Sequence, residues 1–170
     1  MGINYVEGDL FAGVKNIKTP VIISHVVNFL GVWGAGFVVP LAKHYPTSRE
    51  QYLSWFQGRY NDQPIPFKLG NVQFVNIGNV TIANMLAQTL GGSRPLYYNH
   101  LVSCMEEVGE AALNANAEIV CPLFGSGLAQ GRWEFIEELI YDCWIRDKNI
   151  KTTIYYLPGQ TPSGWNPPSN

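Results

Sequence analysis

Two glycine-dense loops constrain the fold of this chain more than any other feature of its sequence. The first reads Asn-Phe-Leu-Gly-Val-Trp-Gly-Ala-Gly over residues 28–36, and the second reads Gly-Ser-Gly-Leu-Ala-Gln-Gly over 125–131. Each loop follows an apolar run and precedes a helix-like segment. Glycines between a strand and a helix bring bare N–H donors and the positive end of a helix dipole close to a phosphate. Two such loops predict a ligand with two phosphates.

Each glycine loop also has a plainer interpretation, a tight turn from strand to helix, which is the commoner use of clustered glycines. Neither loop is a Walker-type phosphate loop, because no Lys-Ser or Lys-Thr follows the glycines. The spacing of Gly31, Gly34 and Gly36 also differs from the dinucleotide-binding fingerprint. A phosphate loop of another kind is the remaining functional hypothesis.

Length and composition predict one compact domain. With 170 residues, 46% of them hydrophobic, the chain can bury a full core, and no internal duplication is visible. We expect a domain over residues 1–157. The remaining residues, 158–170, are rich in proline and glycine, so we expect a tail without an element of its own, which packs through Trp165 or stays disordered.

Charge and cysteine content narrow the partners and the compartment. The net charge is −2 and the 11 basic residues are scattered, which disfavours a long nucleic-acid backbone and favours a small ligand. Cys104, Cys121 and Cys143 lie in apolar patterns without a CxxC motif, as free thiols in a reducing cytoplasm do. No signal peptide, no metal-binding cluster and no apolar run near the roughly 18 residues that span a bilayer are visible. We therefore expect a soluble cytoplasmic protein without a metal, a cofactor or a membrane contact.

The hydrophobic periodicity alternates between strand and helix. Strand-like runs cover 3–6, 21–27, 71–77, 80–86, 117–123 and 152–157, and helical patterns cover 36–43, 48–57, 98–115 and 133–144. This order predicts an α/β fold, a three-layer α/β/α sandwich with a mixed, mainly parallel sheet and a hairpin at Gly78 and Asn79. Ligands of such sheets bind at the carboxyl ends of the strands, where both glycine loops lie.

Four segments together resemble the macrodomain family, the ADP-ribose-binding module. They are Glu-Gly-Asp-Leu-Phe over 7–11, the run from Ser24 to Gly36 with its His-x-x-Asn and Trp-Gly-x-Gly, Asn-Met-Leu-Ala-Gln over 84–88, and the run from Leu123 to Glu134. Their order, spacing and flanking elements match over nearly the whole chain. Within the family, the His-x-x-Asn followed by Trp-Gly-x-Gly and the segment over 84–88 resemble the yeast and phage type, which acts as ADP-ribose 1''-phosphate phosphatase.

The resemblance implies a role for each matching residue. Asp9 would accept a hydrogen bond from the adenine amino group beside the Leu10 backbone, although an aspartate after Gly8 can also simply cap a turn. Asn28 would hold the distal ribose, although a loop asparagine that tolerates left-handed backbone is the plain alternative. The other implied ligand-binding residues are Gly31, Trp33, Gly34, Ala35, Gly36 and Phe37 in the first loop, and Gly125, Ser126, Gly127, Leu128, Ala129 and Gln130 in the second.

His25 is the residue on which a catalytic interpretation depends. The resemblance makes it a candidate acid or water-positioning group, together with Asn28, whereas a lone histidine near a core is more often structural. In an extended strand, His25 and Asn28 point to opposite faces unless the backbone turns between them. Asn84 and Gln88 are further candidates for the pocket lining.

Two departures bear on the reaction. Relatives that remove ADP-ribose from glutamate or DNA bases use a lysine after the middle strand, and the glutamate-acting form adds an acid after the second loop. Residues 83–95 contain no lysine, and Ala129 stands where that acid would be. The resemblance therefore implies a metal-independent phosphatase that converts ADP-ribose 1''-phosphate to ADP-ribose and phosphate. The alternatives are a non-catalytic ADP-ribose-binding module, with a nucleic acid as partner only if ADP-ribosylated, and, third, an ADP-ribosyl glycohydrolase.

Overall fold

The computed structural model describes residues 2–59 and 65–168, and its centre is a six-stranded sheet. The strands are β1 (Asn4–Glu7), β2 (Val21–Asn28), β3 (Val72–Ile77), β4 (Val80–Gln88), β5 (Glu118–Cys121) and β6 (Thr152–Tyr156). Their order across the sheet is β1-β6-β5-β2-β4-β3. The β3–β4 hairpin is antiparallel and the other pairs are parallel, so the predicted mixed, mainly parallel sheet is confirmed.

Helices cover both faces of this sheet. They are α1 (Leu10–Lys15), α2 (Val38–His44), α3 (Pro46–Phe56), α4 (Tyr98–Ala115) and α5 (Trp133–Ile140). Neighbouring residues of β2 point to opposite faces: Ile22 packs in the core cluster of α4 and α5, and Ile23 in that of α1 and α2. The three-layer sandwich predicted from the sequence is therefore the observed architecture.

The helices differ from the sequence-based prediction in two places. The periodicity did not indicate α1, whose six residues are too few for a recognisable apolar stripe. The helix predicted over 133–144 is α-helical only to Ile140 and continues as a π-helix over Tyr141–Ile145. Within this π-helix Trp144 is fully buried and donates from Nε1 to the Met105 carbonyl of α4 at 2.7 Å, a tertiary contact that periodicity does not reveal.

The chain after β6 runs back over the sheet edge. Residues 158–168 form no helix or strand, and residues 169 and 170 lie outside the described part of the chain. Trp165 is buried, and its ring centroid lies 5.1 Å from that of Tyr5 and 6.3 Å from those of Trp133 and Tyr156. Within the described ranges, no helix has the length and hydropathy needed to cross a membrane.

The sheet order brings the two glycine loops together. β2 and β5 are adjacent and parallel, so the loops that leave their carboxyl ends are neighbours. β4 flanks β2 on its other side and ends at the same edge. Segments distant in sequence therefore meet at one edge of the sheet.

Candidate functional site

A cavity of about 450 Å³ lies at this carboxyl edge of the sheet. This volume is within the range of ligand pockets, roughly 300–1,000 Å³. Its lining comes from the two glycine loops, the end of β2, and the segment after β4. The lining residues are His25, Val26, Val27, Asn28, Val32, Gly34, Ala35, Gly36, Phe37, Val38, Gln88, Leu90, Gly91, Pro95, Pro122, Leu123, Phe124, Gly125, Gly127, Leu128 and Ala129. Among these described residues, none carries an acidic or strongly basic side chain.

Two runs of backbone amides border the cavity without a protein acceptor. Within residues 2–59 and 65–168, the N–H groups of residues 34–38 and of 125–129 donate to no other group of the chain. Backbone N–H groups are obligatory donors, so such runs at a cavity are ready to bind an acceptor-rich ligand. Successive N–H groups in turns form concave anion-binding surfaces. The cavity can therefore bind negative charge through its backbone.

His25 and Asn28 both border this cavity, beside an irregularity in the pairing of β2 with β4. The register of β2 on β4 shifts between Val27 and Asn28, so that Val27 pairs with Leu86 but Asn28 pairs with Gln88. Ala87 of β4 is the extra residue of this bulge, and a bulge bends the strand that carries it. β2 ends at this irregularity, and His25 and Asn28 near its end both line the cavity.

His25 is a buried, neutral imidazole. Only 2% of its surface is exposed, and burial lowers its pKa to about 4. Its Nε2 lies 2.5 Å from Oδ1 of Asn84, an atom that only accepts, so Nε2 carries the proton. Its ring also contacts Trp33 edge-on, with centroids 5.6 Å apart, and Phe37 at 5.7 Å.

Asn28 organises the first glycine loop. Its Oδ1 accepts from the backbone N–H groups of Leu30 at 3.0 Å and Val32 at 3.1 Å, and from the Tyr52 hydroxyl at 3.1 Å. Its Nδ2 donates to the Val32 carbonyl, which leaves one of the two amide N–H groups for a ligand. The single hydroxyl hydrogen of Tyr52 is shared between Oδ1 and the nearer carbonyl of Asn28, and only this contact reveals a role for Tyr52, which the sequence did not suggest.

The predicted adenine-binding pair lies outside the cavity lining. Oδ1 of Asp9 accepts from the Phe11 N–H at 3.0 Å and so caps the start of α1, as the alternative interpretation had it. Leu10 is 4% exposed and packs in the core cluster of α1 and α2. The role of Asp9 and Leu10 in adenine binding stays a prediction.

Four other predicted ligand-binding residues support the loops without lining the cavity. Gly31 has a φ of 75°, and a Cβ there would overlap the ring of Phe56. Trp33 donates from Nε1 to the Val38 carbonyl at 2.9 Å, and Ser126 donates to the Leu123 carbonyl at 2.8 Å. Gln130 has a φ of 62° at the end of the second loop. The remaining predicted loop residues, from Gly34 to Phe37 and from Gly125 to Ala129 except Ser126, line the cavity.

The segment after β4 supplies lining residues that the sequence reasoning missed. Leu90, Gly91 and Pro95 border the cavity beside Gln88, which the sequence did suggest. Gln88 also forms an isolated antiparallel bridge with Leu96. This bridge closes a short loop at the cavity edge. Neither the hydrophobic periodicity nor a sequence motif predicts this loop.

The cysteines and potential metal ligands take no part in this site. All three cysteines are free and buried, away from the cavity lining. Burial raises the pKa of the Cys104 thiol to about 12 and that of Cys143 to about 11, which keeps both protonated. Across residues 2–59 and 65–168, no group of three or more His, Cys, Asp or Glu side chains is arranged to hold a metal ion.

Comparison with known sequences finds short similarities. No family model matches the chain. It is 33% identical over 55 residues to the ADP-ribose 1''-phosphate phosphatase of Lodderomyces elongisporus, and 34% identical over 53 residues to the protein of that name from Candida albicans. These matches cover 32% and 31% of this chain and 34% of each relative, so they span about a third of the length of either protein.

Comparison with solved structures covers nearly the whole chain. A protein of unknown function from Bacteroides thetaiotaomicron has a TM-score of 0.81 at 34% identity, and a macrodomain protein from Streptomyces coelicolor has 0.75 at 36% identity. Each match covers 91% of this chain and 98% of the other. The DarTG protein of Thermosipho africanus, in complex with ADP-ribose, shares the fold with a TM-score of 0.72 at 15% identity, over 95% of this chain and 43% of that one. With this identity to a macrodomain protein over nine-tenths of its length, the chain belongs to the macrodomain family.

Proposed function

We propose that this protein binds ADP-ribose in the cavity between the glycine loops and hydrolyses the terminal phosphate of ADP-ribose 1''-phosphate. The observation that carries the proposal is the pair of unpaired amide runs, 34–38 and 125–129, on one cavity. Their N–H groups suit a ligand with several phosphates, a diphosphate at the second loop and a terminal phosphate at the first. The cavity lining adds no acidic side chain that would repel them.

The similarities support the same ligand. Thermosipho africanus DarTG, which shares the fold over part of its length, is in complex with ADP-ribose, and the two curated relatives are named ADP-ribose 1''-phosphate phosphatases. The proposed diphosphate contact is the second loop, and the proposed contact of the distal ribose is the free N–H of Asn28. The 1''-phosphate would then lie near the first loop and His25.

Hydrolysis in this cavity would use water as the nucleophile. Among the described lining residues His25 carries the only side chain able to form a covalent intermediate, and we propose that it orients the water instead. The water oxygen bonds to phosphorus while the bond from phosphorus to the ribose oxygen breaks. One water hydrogen ends on that ribose oxygen and the other stays with the phosphate.

The backbone and His25 would divide the catalytic work. Phosphoryl transfer passes through a loose transition state, so positioning and charge stabilisation contribute more than proton abstraction. The amide runs would stabilise the charge on the phosphoryl oxygens. His25, neutral because burial lowers its pKa to about 4, suits the orientation of water and not the donation of a proton.

A non-catalytic ADP-ribose-binding module is the second candidate, favoured by the apolar character of the cavity. Val26, Val27 and Val32 line it beside His25, and none of them assists a reaction. A glycohydrolase is less favoured, because Ala129 is buried in the lining where an acid would be needed and residues 83–95 contain no lysine.

Two measurements on the same preparation test the proposal. Calorimetry with ADP-ribose should give a saturable 1:1 isotherm, and ADP-ribose 1''-phosphate should release inorganic phosphate in the presence of a chelator. Binding without phosphate release would leave the binding module as the function. Absence of both would overturn the proposal.

A further inference from the structure

A line of hydrogen-bonded side chains leads from His25 away from the cavity, across three neighbouring strands. His25 on β2 pairs in register with Asn84 on β4, and Asn84 pairs with Gln73 on β3. Nε2 of His25 donates to Oδ1 of Asn84 at 2.5 Å, and Nδ2 of Asn84 donates to Oε1 of Gln73 at 3.0 Å. Nε2 of Gln73 then donates to the backbone carbonyl of Gln51 on α3 at 2.8 Å. We call the side chains of His25, Asn84 and Gln73 the amide relay.

The far end of the amide relay sets its direction. A backbone carbonyl can only accept, so the Gln51 carbonyl requires the NH₂ group of Gln73 to face α3. The Gln73 oxygen must then face Asn84 and accept from its Nδ2. A second backbone carbonyl on α3, that of Ser48, lies 3.4 Å from the same Nδ2 and favours the same orientation. The Asn84 oxygen is thereby left to face His25.

The near end of the amide relay leaves one acceptor at the cavity. Because Asn84 presents an oxygen, the proton of neutral His25 lies on Nε2, and Nδ1 keeps its lone pair. In the described part of the chain, Nδ1 of His25 has no hydrogen-bond partner. Every fully buried side-chain nitrogen or oxygen in that part does have a partner. Nδ1 therefore reaches solvent, and the space that His25 borders is the cavity.

We propose that Asn84 and Gln73 are positioning residues that hold His25 as the Nε2–H tautomer and so keep Nδ1 as a hydrogen-bond acceptor toward the cavity. The proposal deepens the phosphatase function proposed above and rests on it for its catalytic consequence. A water that donates to Nδ1 has its own lone pair free for phosphorus. If the Asn84 amide were reversed, its NH₂ group would face His25 and the proton would lie on Nδ1. The Nδ1–H would then donate to the water and occupy a lone pair that the water needs to attack phosphorus.

Variants at Gln73 test the amide relay with little disturbance of the site, since Gln73 is half-buried and does not line the cavity. Gln73→Met keeps the length of the side chain but removes the acceptor for Asn84. Gln73→Glu keeps an acceptor for Asn84 and loses the donor to the Gln51 carbonyl. Thr81→Val is the matched control, because it removes a hydrogen bond to Asn76 in the same hairpin, on its exposed side.

The first readout is the protonation of His25 itself, measured by ¹⁵N-edited NMR of the imidazole in the substrate-free protein. The expected result is a proton on Nε2 in the unmodified protein and in Gln73→Glu and Thr81→Val, with a population protonated on Nδ1 appearing in Gln73→Met. A proton on Nδ1 in the unmodified protein would overturn the proposal. An unchanged tautomer in a folded Gln73→Met would also overturn it.

The second readout separates turnover from binding. Gln73→Met should lower kcat for phosphate release about tenfold, a part of the roughly 10²- to 10⁴-fold that a general acid–base group contributes, while Kd for ADP-ribose changes less than about twofold. Gln73→Glu should recover most of that loss. A parallel loss of kcat and affinity would indicate a merely structural role and overturn the proposal. If the unmodified protein releases no phosphate, the phosphatase function fails, whereas the NMR result still decides whether the amide relay sets the tautomer.

Discussion

The imidazole of His25 and the carboxamide of Asn84 lie side by side on β2 and β4, with Nε2 and Oδ1 2.5 Å apart. Both side chains are almost fully buried, and His25 alone of the two borders the cavity. The pair therefore presents one imidazole edge to a ligand and anchors the opposite edge inside the protein. Toward the cavity, this arrangement leaves His25 an acceptor, because its proton is used by Asn84.

Removal of the His25 ring should affect turnover more than binding. His25→Ala should lower phosphate release by roughly 10²- to 10⁴-fold, and the affinity for ADP-ribose by less than about tenfold, because a water-orienting group acts in the transition state. His44→Ala, at the exposed end of α2, is the control and should change neither. Steady-state phosphate release and calorimetry measure the two effects. A folded His25→Ala protein with the original rate would exclude His25 from catalysis.

The stability of the protein should depend on pH through His25. Its pKa is about 4 when folded and 6.5 ordinarily, so between these values the unfolded chain binds more protons. The free energy of unfolding should therefore fall as the pH drops from 6.5 toward 4, by about 3 kcal/mol at most from this group. Urea unfolding at pH 7 and pH 4.5 measures the loss. His25→Gln should lose less over the same interval, and an equal loss would assign the effect to other groups.

Asn28 should contribute to the loop and to the ligand together. Asn28→Ala removes the acceptor for two backbone N–H groups, so the free energy of unfolding should fall by about 2–4 kcal/mol. ADP-ribose affinity and turnover should both fall at least tenfold, because the amide acts on the bound state and the transition state alike. The control is Tyr52→Phe, which removes only the hydroxyl behind Asn28 and should reduce stability with little change in affinity. Similar affinity losses in both variants would argue against a ligand contact by Asn28.

Two glycines allow a steric test of the phosphate loops. A Cβ at Gly127 meets no atom within 4 Å, and at Gly34 only Val32 Cγ1 at 3.8 Å, and neither glycine has a positive φ. Gly127→Val and Gly34→Val should therefore keep Tm within about 3 °C while they weaken ADP-ribose binding at least tenfold. Gly131→Ala is the contrasting variant, because its Cβ would overlap the Gly125 carbonyl and should destabilise the fold. Full affinity in folded Gly127→Val would contradict a diphosphate contact at the second loop.

Asp9 has two candidate functions, capping of α1 and binding of adenine, and a pair of substitutions can separate them. Asp9→Ala should lower the free energy of unfolding by about 1 kcal/mol, because it removes the cap of α1. Asp9→Asn keeps a capping oxygen but can present an NH₂ group where the adenine amine would need an acceptor. If Asp9 binds adenine, Asp9→Asn should weaken ADP-ribose binding by about 1–3 kcal/mol at unchanged Tm. Unchanged affinity in calorimetry would leave Asp9 as a helix cap alone.

Periodicity and loop composition were enough to predict the layers of this protein. The strand and helix patterns, with glycines at two strand ends, indicated a mainly parallel sheet and a site at its carboxyl edge. Both follow from local rules, since alternation, helical spacing and glycine turns depend on residues close together in the chain. For the same reason, eight loop residues that were predicted from the sequence do border the cavity: Gly34, Ala35, Gly36, Phe37, Gly125, Gly127, Leu128 and Ala129.

Tertiary structure alone decided what the polar side chains of the site can do. The register shift at Asn28, where Ala87 of β4 is the extra residue, depends on pairing between strands some 60 positions apart. The protonated nitrogen of His25 depends on Asn84, and through Gln73 on a carbonyl of α3. Hydrogen bonds between strands and helices arise only when distant segments meet, and no local pattern encodes their direction. The sequence by itself therefore determined where a ligand can bind, and long-range pairing determined which atoms face it.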